Sequence, residues 1–160
     1  MRRSMLIVGA ALLASSHSGG GAPTADQKLV EGDWVLVSFK GDPNAFGSLH
    51  LKPDGTFEGE MGDKTPKENK SSKIAGTYIL DRQFVSDQSV LFVEFTVATM
   101  DGKNAPAETV FRLGFAPKSE TLSDLLSQIY TRPGNEGKVR QMLERQRAVR
   151  RDSKLSPVPK

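Results

Sequence analysis

The stretch Lys52-Pro53-Asp54-Gly55-Thr56-Phe57-Glu58-Gly59-Glu60-Met61 holds a tight turn and then a strand. Pro53 presets φ for a turn, and Gly55 accepts the positive φ that most side chains resist. Beyond the turn, apolar and polar residues alternate. Phe57, Gly59 and Met61 share one face, and Glu58 and Glu60 share the other. A period of two with one wet face marks an antiparallel strand in a half-buried sheet.

Similar segments lie on both sides. Residues 34–39, 46–52, 74–80, 90–100 and 109–115 are short runs rich in β-branched, aromatic and aliphatic residues, and 127–132 closes the series. Asp101-Gly102 is a turn signal after the longest run. Gly62 to Lys73 reads as a charged loop, and Ser119 to Leu126 fits either a helical turn or a short strand. Seven or eight strands with hairpin-type turns and no crossover helix indicate an all-β antiparallel barrel or sandwich. The immunoglobulin-type sandwich lacks its cysteine pair here. Closure removes exposed strand edges in a small protein without disulfides, so an up-and-down barrel is the expected form.

The chain has 160 residues and no cysteine, so disulfides, thiolate metal sites and thiol catalysis are excluded. Its net charge of +3 is too small to imply nucleic-acid binding and hides an uneven distribution. Residues 31–135 carry 11 basic and 15 acidic side chains, whereas 136–160 carry 8 basic and 3 acidic ones. An acidic body therefore precedes a basic tail. In the tail, Val139, Met142, Leu143 and Val149 fit one side of a helix, with Arg140, Arg145, Arg147, Arg150 and Arg151 around the rest. Ser156-Pro157-Val158-Pro159 ends any helix, and a disordered terminus is expected.

At the other end, Met1-Arg2-Arg3-Ser4 is basic, Met5 to Ala14 is apolar, and Ser15 to Gly21 is small or polar. That order is the one of a secretory signal, and the apolar run is too short for an ordinary membrane span. The expected organisation is a signal peptide at 1–22, a linker at 23–28, a barrel at 29–132 and a basic helical tail at 133–160. The mature protein is expected to be secreted or periplasmic, and monomeric.

Leu29-Val30-Glu31-Gly32-Asp33-Trp34 resembles the Gly-x-Trp opening of lipocalins and the wider calycin group, and Tyr130-Thr131-Arg132 resembles their last strand. Lys52 to Phe57 and Gly76-Thr77-Tyr78 are similar to small exported bacterial lipocalin-like domains. Avidin-like and fatty-acid-binding barrels share the same start, and Asp54 to Gly59 is also similar to small secreted META-type domains. The resemblance implies that Arg132 packs across Trp34 and plugs one end, with Gly32 permitting the approach. It also implies a small apolar or amphipathic ligand held by Trp34, Leu36, Phe57, Tyr78, Phe95, Phe111, Tyr130 and Arg132.

From the residues themselves, alternation puts Trp34 and Leu36 on one face, with Leu49, Leu51, Phe57, Tyr78, Val93, Phe95, Phe111 and Leu113 as further inward candidates. Either they fill the barrel or they line a cavity. His50 alternates with Leu49 and Leu51 and should face solvent, with no second histidine outside the signal segment to complete a zinc site. No nucleophile-elbow motif accompanies it. Glu58 and Glu60 share an outer face, so an acid–base pair or a calcium contact is the alternative to a solvated strand exterior. Gly19-Gly20-Gly21 lacks the context of a phosphate loop, and Asn69-Lys70-Ser71 is a glycosylation sequon. No enzyme activity, cofactor or specific nucleic-acid partner is expected. A filled barrel acting through its tail, on an anionic membrane, cell wall or protein, is the alternative to ligand binding.

Overall fold

A computed structural model describes residues 24–155, apart from 40, 41, 43, 65–68, 86, 107, 108 and 125–127; for Asn69 and for 150–155 only the backbone is described. The expected signal peptide and the chain beyond the C-terminal helix lie outside the described residues. The elements are α1 (Ala25–Val30), β1 (Gly32–Phe39), β2 (Ala45–Leu51), β3 (Thr56–Lys64), β4 (Asn69–Val85), β5 (Gln88–Met100), β6 (Lys103–Asn104), β7 (Val110–Ala116), β8 (Thr121–Ser123), β9 (Gln128–Thr131) and α2 (Glu136–Leu155). Every strand pairing is antiparallel. Apart from the two-residue β6, the strands follow chain order around the sheet, and β9 pairs with β1 to close an eight-stranded barrel.

The alternation that identified the strands also fills the interior. Leu91, Val93, Phe95 and Val97 of β5 are all buried, as are Trp34 and Leu36 of β1 and Leu49 and Leu51 of β2. A register shift between Leu36 and Ser38 in the β1–β9 pairing breaks the period of two. Leu36 and the adjacent Val37 are consequently both buried. Leu36 belongs to the barrel core. Val37 lies beside Arg140 and Leu143 of α2, which packs on β1.

Three local expectations change. The charged stretch Gly62–Lys73 is mostly strand, with β3 running to Lys64 and β4 starting at Asn69. Opposite charges face each other there, Asp63 across from Lys70 and Glu60 across from Lys73, so the charge supports the pairing. Residues 121–123 resolve the ambiguous segment as the short strand β8. The stretch 23–28, read as linker, contains most of α1, started by a reciprocal capping box between Thr24 and Gln27. At Asp101-Gly102 the φ values of 51° and 74° suit the two-residue hairpin that joins β5 to β6.

The two ends of the barrel differ. Val30 of α1 is fully buried in the core cluster, and α1 covers the end where β1 begins and β9 finishes. At the opposite end β1 and β5 finish at Phe39 and Met100, beside the start of β2 at Ala45 and the β3–β4 connection.

Candidate functional site

The covered end is a sealed plug. The half-buried Arg132 guanidinium lies 4.0 Å from the centroid of the fully buried Trp34 ring, a cation–π contact. Its Nη1 donates to the Glu31 carbonyl at 2.6 Å and its Nη2 to the Leu29 carbonyl at 2.9 Å. The Trp34 indole N–H donates to the Val30 carbonyl at 2.7 Å. Gly32 has φ of +102°, and a Cβ there would sit 3.1 Å from Arg132 Nη1. A glycine is thus required twice over, for its backbone conformation and for the approach of the arginine.

The middle of the barrel is filled by aromatic rings. Phe95 and Phe111 stack with centroids 4.5 Å apart, and Phe57 meets Phe95 edge-on at 5.1 Å. The Tyr78 hydroxyl donates to the Lys52 carbonyl at 2.7 Å, and burial pushes its pKa up to about 12. Tyr130 is fully buried, and burial raises its hydroxyl pKa as well.

At the opposite end the described residues line a recess of about 440 Å³. Leu36, Met61, Ile74 and Met100 supply its apolar surface, and Ala45 and Phe39 stand at its edge. Its polar members include Asp42, Asp63 and Lys70. Asp63 continues the inward face of Phe57, Gly59 and Met61, and its Oδ1 is buried without any hydrogen-bond partner. Asp42 Oδ1, by contrast, accepts the backbone N–H of Asn44 at 2.8 Å. A volume of this size falls in the range of small-molecule sites, about 300–1,000 Å³.

Of the residues proposed from sequence for a ligand, only Leu36 lines this recess. Trp34 and Arg132 form the plug, while Phe57, Tyr78, Phe95, Phe111 and Tyr130 pack the interior between. Met61, Ile74, Met100 and Asp63 went unassigned. For Asp63 the signal was the alternation, which continued two residues past Met61 places it inward. Met100 escapes that signal, because the register shift between Ala75 and Gly76 breaks the period of two on β5.

The outer surface carries paired charge. His50 Nδ1 lies 2.6 Å from Asp33 Oδ1, and Lys52 pairs with Glu58, both across exposed strand faces. The Lys52 ammonium holds the Glu58 carboxyl below its usual range. Asp33, His50, Glu58 and Glu60 edge an open depression of about 670 Å³ on the barrel exterior. Among the described residues no group of three or more His, Asp or Glu side chains is placed to hold a metal ion. A second outer groove, of about 540 Å³, runs past Val85, Phe92 and Arg112. There Arg112 lies 4.2 Å over the Phe92 ring and pairs with Asp81.

Among its described side chains the basic helix docks through its first turns. Val139 is buried, Met142 and Leu143 are half-buried, and Val149 is 68% exposed. Arg140, Arg145 and Arg147 are exposed. The side chains of Arg150 and Arg151 lie outside the described residues. No family model, curated protein or solved structure matches this chain.

Proposed function

We propose that this chain is an exported, non-enzymatic, lipocalin-like protein that binds a small apolar or amphipathic ligand in the open end of its barrel. The observation that carries the reading is the asymmetry of the two ends. One end is closed by Arg132 on Trp34, with the guanidinium donating to the Leu29 and Glu31 carbonyls and the indole to the Val30 carbonyl, whereas the other holds a largely apolar recess of about 440 Å³. The lipocalin-like assignment draws on the closed up-and-down topology together with that Gly32, Trp34 and Arg132 plug. Export draws on the basic, apolar and small-residue order of positions 1–22.

The ligand site moves accordingly from the tryptophan end to the recess bounded by Leu36, Met61, Ile74 and Met100. Each methylene removed from water there contributes about 0.8 kcal/mol, so a medium-length alkyl chain suffices for micromolar binding. The test is calorimetric titration with decanol, comparing the protein with Ala45→Phe. Ala45 stands at the edge of the recess, and a phenyl group there occupies the space a chain needs. Saturable binding that Ala45→Phe abolishes, without loss of thermal stability, supports the reading. Absence of binding, or binding indifferent to the substitution, rejects it.

A second reading rests on α2. Among its described side chains Val139 is buried and Met142 and Leu143 are half-buried, and the exposed Arg140, Arg145 and Arg147 present a basic surface. We propose attraction to an anionic membrane or cell-wall surface as its role, each well-placed cation contributing about 1 kcal/mol.

A further inference from the structure

Resting on the recess as the ligand site, we propose that its ligand carries an ammonium head group and that Asp63 receives it. The interior of this barrel is otherwise economical with polar atoms. The Trp34 N–H, the Tyr78 hydroxyl, the Thr131 hydroxyl and the Arg132 guanidinium each have a protein partner within hydrogen-bond distance. Asp63 Oδ1 departs from that pattern, being buried yet without a donor. A carboxylate oxygen taken out of water without a donor carries a substantial desolvation penalty.

The surroundings say what kind of donor is missing. Asp63 lies across from Ala45 on β2, whose side chain donates nothing, and across from Lys70 on β4, whose side chain is exposed. Lys64, the next residue on β3, is turned away over the Phe46 ring with its Nζ 4.8 Å from the centroid. Among the described residues two carboxylates, Asp42 and Asp63, and one lysine line the recess. Leu36, Met61, Ile74 and Met100 make the apolar part of the wall, and although Ser71 and Ser72 also line the recess, neither hydroxyl is bonded to the buried oxygen. A molecule with an alkyl or aryl body and a primary ammonium satisfies both features at once. Its body covers the apolar wall and its N–H groups reach Oδ1.

The experiment compares decylammonium, decanol and decanoate by calorimetry on the protein and on Asp63→Asn, a substitution that keeps shape and removes charge. Decylammonium is expected to bind roughly tenfold to hundredfold more tightly than decanol, the range of a charge-assisted hydrogen bond. In Asp63→Asn that advantage disappears while decanol affinity stays, which also shows that the variant is folded and its recess intact. Decanoate binding more tightly than decylammonium overturns the inference, as does an ammonium preference that survives Asp63→Asn. Decanol binding with no ammonium preference defeats the inference and leaves the recess standing. Failure of all three probes removes the recess reading and the ammonium with it.

Discussion

Arg132 and Trp34 are separated by 97 residues in sequence and by 4.0 Å in space, guanidinium over indole. The pair ties the last barrel strand to the first, and the arginine also holds the chain entering β1 through the carbonyls of Leu29 and Glu31. Removing Arg132 leaves those acceptors without their donor and uncovers the indole. Arg132→Ala is expected to destabilise the protein by about 2–4 kcal/mol. Arg132→Lys recovers only part of this, because an ammonium cannot reproduce the planar fork. Urea unfolding followed by Trp34 emission measures both. A loss under about 0.5 kcal/mol for Arg132→Ala, no more than an ordinary surface substitution, contradicts the plug.

The same geometry places Trp34 away from the recess proposed as the ligand site. The indole is fully buried at the sealed end, so its emission is expected to be blue-shifted in the folded protein. It is expected to stay unchanged on saturation with decanol. A ligand-dependent shift or quench would return the ligand to the plug end.

Gly76 lies at the bulge of β4 opposite β5, where an added Cβ would come within 2.0 Å of the Thr96 carbonyl oxygen. Backbone atoms on both strands would have to part. Gly76→Ala is therefore expected to cost about 3 kcal/mol or more, visible as a fall in thermal midpoint. Normal stability in this variant would mean that β4 and β5 pair otherwise.

The chain has two tyrosines, both buried, and their hydroxyl pKa values are raised by desolvation, Tyr78 to about 12. A hydroxyl that ionises later in the folded state than in the unfolded state keeps its proton where the unfolded chain has lost it. Stability therefore falls as pH rises from the unfolded value near 10 toward 12, and is unaffected by these groups below that window. Tyrosinate absorbance should stay low through pH 10 and rise together with loss of tertiary structure. Free titration of both tyrosines near pH 10 in folded protein would contradict their packing.

For the basic helix, deletion of residues 136–160 is expected to abolish sedimentation with phosphatidylserine vesicles. Sedimentation of the intact chain is expected to weaken steeply with salt. Salt-independent binding, or binding that survives the deletion, would place the interaction elsewhere.

The barrel was legible because its strands obey a simple period. Trp34, Leu49, Leu51, Phe57, Tyr78, Val93, Phe95 and Leu113 are inward by alternation, and all are buried. The turn at Asp101-Gly102 was legible for an equally local reason, whereas the meeting of Arg132 with Trp34 was expected from the resemblance to calycin-type barrels. The recess was not, because its wall depends on where β3 stops. Charged residues after Met61 suggest a loop when read alone, but Asp63 and Lys70 face each other across a pair of strands. Cross-strand register is a property of two segments together, and one segment read alone does not contain it. Which end of the barrel is sealed likewise depends on α1, whose six residues carry little signal beyond Thr24 and Gln27.

The placement of the ligand is tested most directly by the methionines. Outside positions 1–22 there are three, of which Met61 and Met100 line the recess while Met142 lies on α2. With the methionine methyl groups isotopically labelled, their NMR signals report on both places in one titration. On addition of decanol the account requires the Met61 and Met100 resonances to move together along one saturation curve, with Met142 stationary. Movement of Met142 alone, or saturable binding that leaves Met61 and Met100 in place, would show that the open end of the barrel is not where the ligand goes.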